Sequence, residues 1–357
     1  LRTRGNILVH GTETIRTALM THWYKTLLVA LALLFCANTA RGNPLDAFGL
    51  GARGVAMGSA YTAIANDASA HYYNPAGLAR QLDTRIDLGY SYHHPLLRFE
   101  GKDAGVDPVN GLQLGVVLPG ELLSRRIGVG LSMMLLDDRI TRVRALPQQQ
   151  PRFVLFDNRP QRLHISANIA LEPIEHLFLG GGLTFMADTS GRLNVEGMVS
   201  LDSPDTTVLQ GAVDVDIESA RYAQAGLLYA PSNRWSIGLT FRQEYFLDLQ
   251  LGTLVQGDIT SNILPGDPLI LVEDATFLFD SRNVNLFSPM QVVLGFSYDL
   301  GPLLLSADLG WYRWSRFRAP AADVSLDLNL GDLAFDIPPI DPVVLPQFSD
   351  LLIPRFG

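Results

Sequence analysis

Cysteine is all but missing from this chain of 357 residues: Cys36 is the only one. One thiol cannot build a disulfide framework, so packing and hydrogen bonds must hold the fold. An excess of basic charge is missing too. Lys and Arg number 27 against 36 Asp and Glu, a formal net charge of -9. That balance argues against the cationic face that nucleic-acid binders carry. Charge of either sign is sparse, at 18% of residues, whereas Gly numbers 32. The apolar run Thr26–Ala37 has 12 residues, too few for a bilayer-spanning helix of about 20. Metal-ligand spacing is absent around His71, His93 and His94, so neither a metal nor a cofactor is expected.

The short run at Thr26–Ala37 follows Lys25 and precedes the small residues Ala40-Arg41-Gly42. A charged start, a short apolar stretch and a small-residue cleavage site make residues 20–42 a secretory signal. A lipoprotein signal at Cys36 fits poorly, because Phe35 is bulky where such signals want a small residue. The first methionine is Met20 and residue 1 is Leu, so residues 1–19 read as an upstream segment foreign to the fold.

Beyond residue 83 the hydrophobic period is two. Leu163, Ile165, Ala167, Ile169 and Leu171 alternate with His164, Ser166 and Asn168. Trp235, Ile237, Leu239 and Phe241 alternate with Ser236, Gly238, Thr240 and Arg242, and the pattern is read on through Glu244, Tyr245 and Asp248. Leu303, Leu305, Ala307, Leu309 and Trp311 alternate with Ser306, Asp308 and Gly310. Such alternation specifies strands with one apolar and one polar face. A soluble sandwich uses strands of about five or six residues, and a membrane barrel about 9 to 11 per crossing. The long alternation, with charges on the polar face, selects an all-β transmembrane antiparallel barrel.

Ten strands are expected, near 84–93, 109–118, 126–137, 152–172, 177–199, 207–230, 234–257, 268–299, 303–328 and from about 347. Tight links at Pro173–His176, Pro231–Asn233 and Asp299–Pro302 alternate with long polar ones, as periplasmic turns and external loops do. Tyr90, Tyr92, Trp235, Tyr245, Trp311 and Trp314 are candidates for interfacial girdles.

The segment GARGVAMGSAYTAIANDASAHYYNPAGLAR, residues 51–80, fits neither a soluble helix nor a strand. It resembles the N-terminal hatch of FadL-type outer-membrane transporters of long-chain fatty acids and hydrocarbons. Asp67-Ala68-Ser69 and Asn74-Pro75-Ala76-Gly77-Leu78 carry the likeness. The stretch 288–317, ending in Trp314-Ser315-Arg316-Phe317, is similar to a paired-strand segment of the same family.

The resemblance implies a 14-stranded barrel plugged by a small N-terminal hatch (residues 43–82), with the barrel occupying 83–357. On that basis the chain is a fragment, C-terminally truncated by about four strands. It also implies a monomer in the bacterial outer membrane, in contact with its lipid, that passively takes up hydrophobic small molecules. Ligands would pass through the lumen and leave sideways at a kink in the third strand, and no catalysis is implied. Asp67, Ser69, Asn74, Pro75, Ala76 and Gly77 are then hatch or gating residues, and Gly128 and Gly130 the candidate kink. His164, Arg221, Arg242, Glu244 and Asp308 are candidates to line the lumen. Arg221 or Arg242 could meet a fatty-acid carboxylate, which tilts the reading toward fatty acids.

Two other classes compete. A related barrel could serve as a docking or shuttle component of a protein secretion system. An outer-membrane hydrolase would need Ser, His and an acid at the lipid face, whereas His164 falls on the lumen face. Gly49-Leu50-Gly51-Ala52-Arg53-Gly54 spells a dinucleotide fingerprint but lacks the strand–helix–strand context. Asp323, Asp327, Asp332 and Asp336 could suggest calcium, but a solvated strand extension and loop explains them better.

Overall fold

The structure, a computed structural model, describes residues 49–94, 96, 98–99, 101–103, 108–137, 163–200, 207–261, 269–317, 323–329 and 347–357. All of them fall within one compact unit, Arg41–Gly357. The expected upstream segment (1–19), the expected export signal (20–42) with Cys36, and Asp332 and Asp336 lie outside the described residues.

Two short helices, α1 (Ala52–Ala56) and α2 (Ala70–Tyr73), lead to a 3-10 turn at Pro75–Arg80. The strands β1 (Arg85–His93), β2 (Arg98–Phe99), β3 (Lys102–Asp103), β4 (Val109–Leu122), β5 (Arg125–Leu136) and β6 (His164–Ile174) follow. Next come β7 (Leu177–Ser200), β8 (Val208–Tyr229), β9 (Trp235–Arg242), β10 (Tyr245–Ser261) and β11 (Leu269–Ser288). The last are β12 (Gln291–Asp299), β13 (Leu304–Tyr312), β14 (Asp323–Asn329) and β15 (Leu351–Phe356).

Ten strands form one path in the order β1-β4-β5-β6-β7-β8-β9-β12-β13-β15, every neighbour antiparallel. With β10, β11 and β14, which lie off this path, the sheet has 13 strands among the described residues against the ten expected, because three expected strands are each two. The expected strand 234–257 is two strands, because the chain leaves the path at Gln243-Glu244 and reverses the parity of its faces. Tyr245 is therefore buried and stacks on Tyr222, with ring centroids 4.3 Å apart, and does not join a girdle. The expected strand 268–299 likewise breaks at Pro289, which has no N–H to give a ladder. The expected 303–328 divides into β13 and β14 around the short 3-10 turn Trp314–Arg316. Strands β10, β11 and β14 make a separate antiparallel blade, and β10 joins the far half of β7 in parallel at Gly191–Ser200. β7 has 24 residues, about 80 Å at 3.3 Å per residue, so it runs far beyond a hydrocarbon core of about 30 Å.

The distribution of polarity decides what surrounds this sheet. Leu131, Ile169, Leu239, Leu294, Phe296 and Leu309 stand on the outer face and are each 41 to 55% exposed. Asn168, Gln224, Ser236, Thr240, Ser297 and Ser306 stand on the inner face and are buried. Apolar outside and polar inside inverts a soluble protein and matches a barrel wall in lipid. No helix among the described residues is long and apolar enough to cross a membrane.

At the end of the tight turns, Glu172 ties three elements together. Its carboxylate accepts from Arg126 Nε at 2.6 Å and Nη2 at 2.9 Å, and from the His176 amide at 2.8 Å. The β4–β5 turn places Leu123 and Ser124 at φ 51° and 58°. Positive φ at both turn residues matches the right-handed twist of a hairpin, though the turn has no glycine to relieve the strain.

Candidate functional site

Residues 49–80 form a plug, and every strand of the ten-strand path touches it. From β1, Asp87 accepts from the Ala68 amide at 2.9 Å, and from β4 Gln113 accepts from the Gly51 amide at 3.1 Å. Asn168 on β6 meets the His71 ring, and Gln224 on β8 donates to His71 O at 2.5 Å. Ser236 on β9 donates to Ala63 O at 2.7 Å. Asp308 on β13 accepts from the Tyr61 and Thr62 amides, both at 3.0 Å. A segment of this size can reach all ten strands only if the sheet curls around it.

Glycines on the inner face make this close approach feasible. A Cβ on Gly128 of β5 would collide with Leu78 O, and one on Gly226 of β8 with Asn74 Oδ1. Gly115, Gly180 and Gly238 meet the plug in the same way. The plug answers with small residues: Ala60, Ala63, Ala65, Ala70, Ala76 and Ala79 have no exposed surface.

The hatch residues singled out from the sequence form two linked turns. Asp67 Oδ1 accepts from the Ser69 amide at 2.9 Å and from its hydroxyl, while Oδ2 accepts from Tyr61 Oη at 2.8 Å. Burial, helped by the Asp67 carboxylate, holds the Tyr61 hydroxyl protonated well above the usual phenol range. Asn74 caps the 3-10 turn, its Oδ1 accepting from the Ala76 amide at 3.1 Å. Its Nδ2 donates to Thr62 O at 2.8 Å and to Leu227 O at 3.0 Å, joining two parts of the plug to β8. Pro75, Ala76 and Gly77 are buried behind it, and a Cβ on Gly77 would strike Ala65 O.

At the candidate kink, Gly128 and Gly130, strand pairing is continuous. β5 pairs with β4 and β6 through Gly128 and Gly130 with neither a gap nor a register shift. Those glycines admit Leu78 and His71 of the plug.

The candidate lumen residues separate into different roles. Arg242 donates to Tyr72 O and Gln291 Oε1, both at 2.7 Å, and lies over the Tyr72 ring at 4.1 Å. Arg242 and Asp308 therefore hold the plug. Glu244 sits beyond the end of β9, 3.5 Å from Arg316, beside the Trp314–Phe317 element. Trp314 itself is buried against Phe287 and Phe317, which removes it from a girdle. Arg221 is exposed and shares the outer face with Leu227 and Tyr229, so its place in the lumen is also corrected. Counting back by twos from Leu227 would have shown this.

Of these residues, His164 lines the large cavity. The space, about 800 Å³, lies between the plug and β1, β4, β5 and β6. Leu50, Val55, Tyr72, Leu114 and Met134 give it an apolar body; Gln113, Ser132, His164 and Ser166 give it polar points. Its formal charges balance, Arg53 and Arg85 against Asp67 and Asp87, and Arg85 pairs with Asp87 at 2.8 Å. Arg53 donates to Asn66 Oδ1 at 2.6 Å. A second void beside Arg242 and Gln291 has about 10 Å³, room for little more than a water. No group of three or more His, Cys, Asp or Glu among the described residues is arranged to hold a metal.

Sequence inspection missed Asn168, Gln224 and Ser236 as plug contacts. The one available signal was glycine recurring on the polar face of the strands, which marks a close approach by another backbone.

Comparison with known proteins gives structural likeness only. No family model matches the chain, and no curated protein does. Three solved structures are similar to it. The toluene transporter TbuX of Ralstonia pickettii has 16% identity over 87% of this chain and 82% of its own, with a TM-score of 0.45. A Pseudomonas aeruginosa FadL homologue has 13% identity over 81% and 71%, with a TM-score of 0.39. The Pseudomonas putida toluene transporter TodX has 15% identity over 82% and 74%, also with a TM-score of 0.39.

Proposed function

We propose that this protein is an outer-membrane barrel for passive uptake of hydrophobic small molecules, and that it has no enzymatic role. The observation that carries the reading is the cavity between the latched plug and the wall, within a sheet whose outer face is apolar. Its volume lies within the usual range for ligand pockets, and its lining combines an apolar body with a few polar points. Apolar compounds gain about 0.8 kcal/mol per CH₂ on leaving water, which is enough to drive capture without an energy source. Residues 20–42 fit export, and 43–82 and 83–357 divide as plug and wall.

Between fatty acids and hydrocarbons, the charge pattern favours an uncharged ligand. Both arginines considered for a carboxylate are committed elsewhere, Arg242 to Tyr72 O and Arg221 to the outer face. The cavity's own arginines are matched by carboxylates. Burying an unmatched carboxylate there would be costly.

The test is uptake in a host lacking its own fatty-acid porin, comparing toluene accumulation with growth on oleate. The wild type should accumulate toluene, and Ser132→Trp, which fills the cavity, should abolish this while the barrel stays heat-modifiable on a gel. Uptake of oleate alone would reverse the assignment of ligand charge. An assembled barrel that takes up neither compound would shift the reading to docking in a secretion system.

A further inference from the structure

His71 lies at the centre of the plug with no exposed surface, in a ring of hydrogen bonds whose polarity is fixed. Asn168 Nδ2 donates to His71 Nδ1 at 2.8 Å. Gln224 Nε2 donates to Asn168 Oδ1 at 2.9 Å and to His71 O at 2.5 Å. His71 Nε2–H points at Val116 O, 3.5 Å away. The imidazole is thus neutral, with its proton on Nε2 and an acceptor facing Asn168.

From this geometry we infer that the plug carries a proton-sensitive latch: protonation of His71 breaks the ring and frees α2 from β6 and β8. A proton on Nδ1 would face the Asn168 amide donor. Turning that amide would offer its oxygen to His71 but set its N–H₂ against Gln224 Nε2. Turning Gln224 in response would set its oxygen against His71 O. Every rearrangement therefore leaves one buried pair mismatched, and His71, which has no exposed surface, cannot reach water without moving α2. A mismatched buried network is costly because its groups have lost solvent. Gly130 leaves the ring no slack, since a Cβ there would lie 2.6 Å from Nε2.

No charged group of the packed elements offsets a new cation. Gly115 and Val117 on β4, Ser132 on β5, Thr184 on β7 and Gly226 on β8 are uncharged. Arg126 on β5 and Glu172 on β6 pair with each other, and Tyr222 on β8 stacks on Tyr245. His164 stands on β6, and Arg242 on β9 is a cation bonded to Tyr72 O of α2. Burial holds the His71 imidazole down at about 4, against an ordinary 6.5. The latch is therefore at full strength above about pH 6.5 and weakens as pH falls toward 4.

The experiment is deuterium exchange of the amides in 67–78, on the full chain in lipid nanodiscs, corrected for intrinsic pH dependence. Linkage predicts opening roughly tenfold greater at pH 5.5, and roughly 70-fold greater at pH 4.5, than at pH 7.5. His71→Gln should make the protection independent of pH, while His164→Gln should keep the wild-type response. Asn168→Asp, which offers a carboxylate to the protonated ring, should retain protection at pH 4.5. Wild-type protection that does not change with pH would overturn the latch. So would an unaltered pH response in His71→Gln, or opening of Asn168→Asp at low pH as in the wild type. The inference does not depend on the uptake reading, because it is measured with no ligand present.

Discussion

Replacing Asn74 by alanine removes three hydrogen bonds from a fully buried site: those to Thr62 O at 2.8 Å, Leu227 O at 3.0 Å and the Ala76 amide at 3.1 Å. Loss of the cap on the 3-10 turn costs about 1 kcal/mol. The two carbonyls left without a partner cost about 1 to 3 kcal/mol each when water cannot reach them. Strand pairing of Leu227 continues to occupy part of its carbonyl, so the lower half of that range applies. The sum is about 3 to 5 kcal/mol of plug docking, with the wall untouched. Aspartate at the same position is the sharper test. It keeps the acceptor for Ala76 but sets a second oxygen against two carbonyls, so Asn74→Asp should release the plug at least as fully as Asn74→Ala. Protease sensitivity of residues 49–80 in assembled barrels would measure both variants, with heat-modifiability confirming that the wall has formed. If Asn74→Asp protected the plug as well as the wild type, the donor role of Nδ2 would be wrong, and the account of how the plug joins β8 with it.

Other substitutions test the remaining contacts. Gly128→Val should cost about 1 to 3 kcal/mol by overpacking against Leu78, whereas Gly89→Ala, with nothing within 4 Å, should stay within about 0.5 kcal/mol; heat-modification midpoints compare them. Asp308→Asn keeps an acceptor for the Tyr61 and Thr62 amides but loses the charge that strengthens it, so exchange of those amides should rise about tenfold, less than in Asp308→Ala. Arg126→Met should lower the urea midpoint by the equivalent of about 1 to 2 kcal/mol, a moderate loss because the arginine is partly exposed and only Glu172 is left buried without its partner.

Periodicity made the wall legible. Alternation at 163–171 and 303–311 put Ile169 and Leu309 outside and His164 and Asp308 inside, as the structure has them. It failed where one alternating run concealed two strands. Between Arg242 and Tyr245 the chain leaves the path with its faces exchanged, and apolar residues suit both lipid and the Tyr222–Tyr245 stack. Hydropathy cannot tell these environments apart. Trp314 was misread for the same reason: an aromatic near a strand end serves a buried cluster as well as a girdle.

The plug was legible as a motif but not as a set of contacts. Most of its bonds to the wall end on backbone atoms: His71 O, Tyr72 O, Ala63 O and the amides of Tyr61, Thr62 and Ala68. Backbone partners leave no complementary side chain in the sequence, so Arg242 and Asp308 looked like free charges in a lumen. Their distance along the chain hid the rest, since Asp308 and Tyr61 are 247 residues apart. What the sequence did carry is room. A glycine that weakens a strand is tolerated where another backbone must come close, and those at 115, 128, 180, 226 and 238 outline the seat of the plug. Taken with the small residues of 60–79, they describe two complementary surfaces, each meaningful only beside the other.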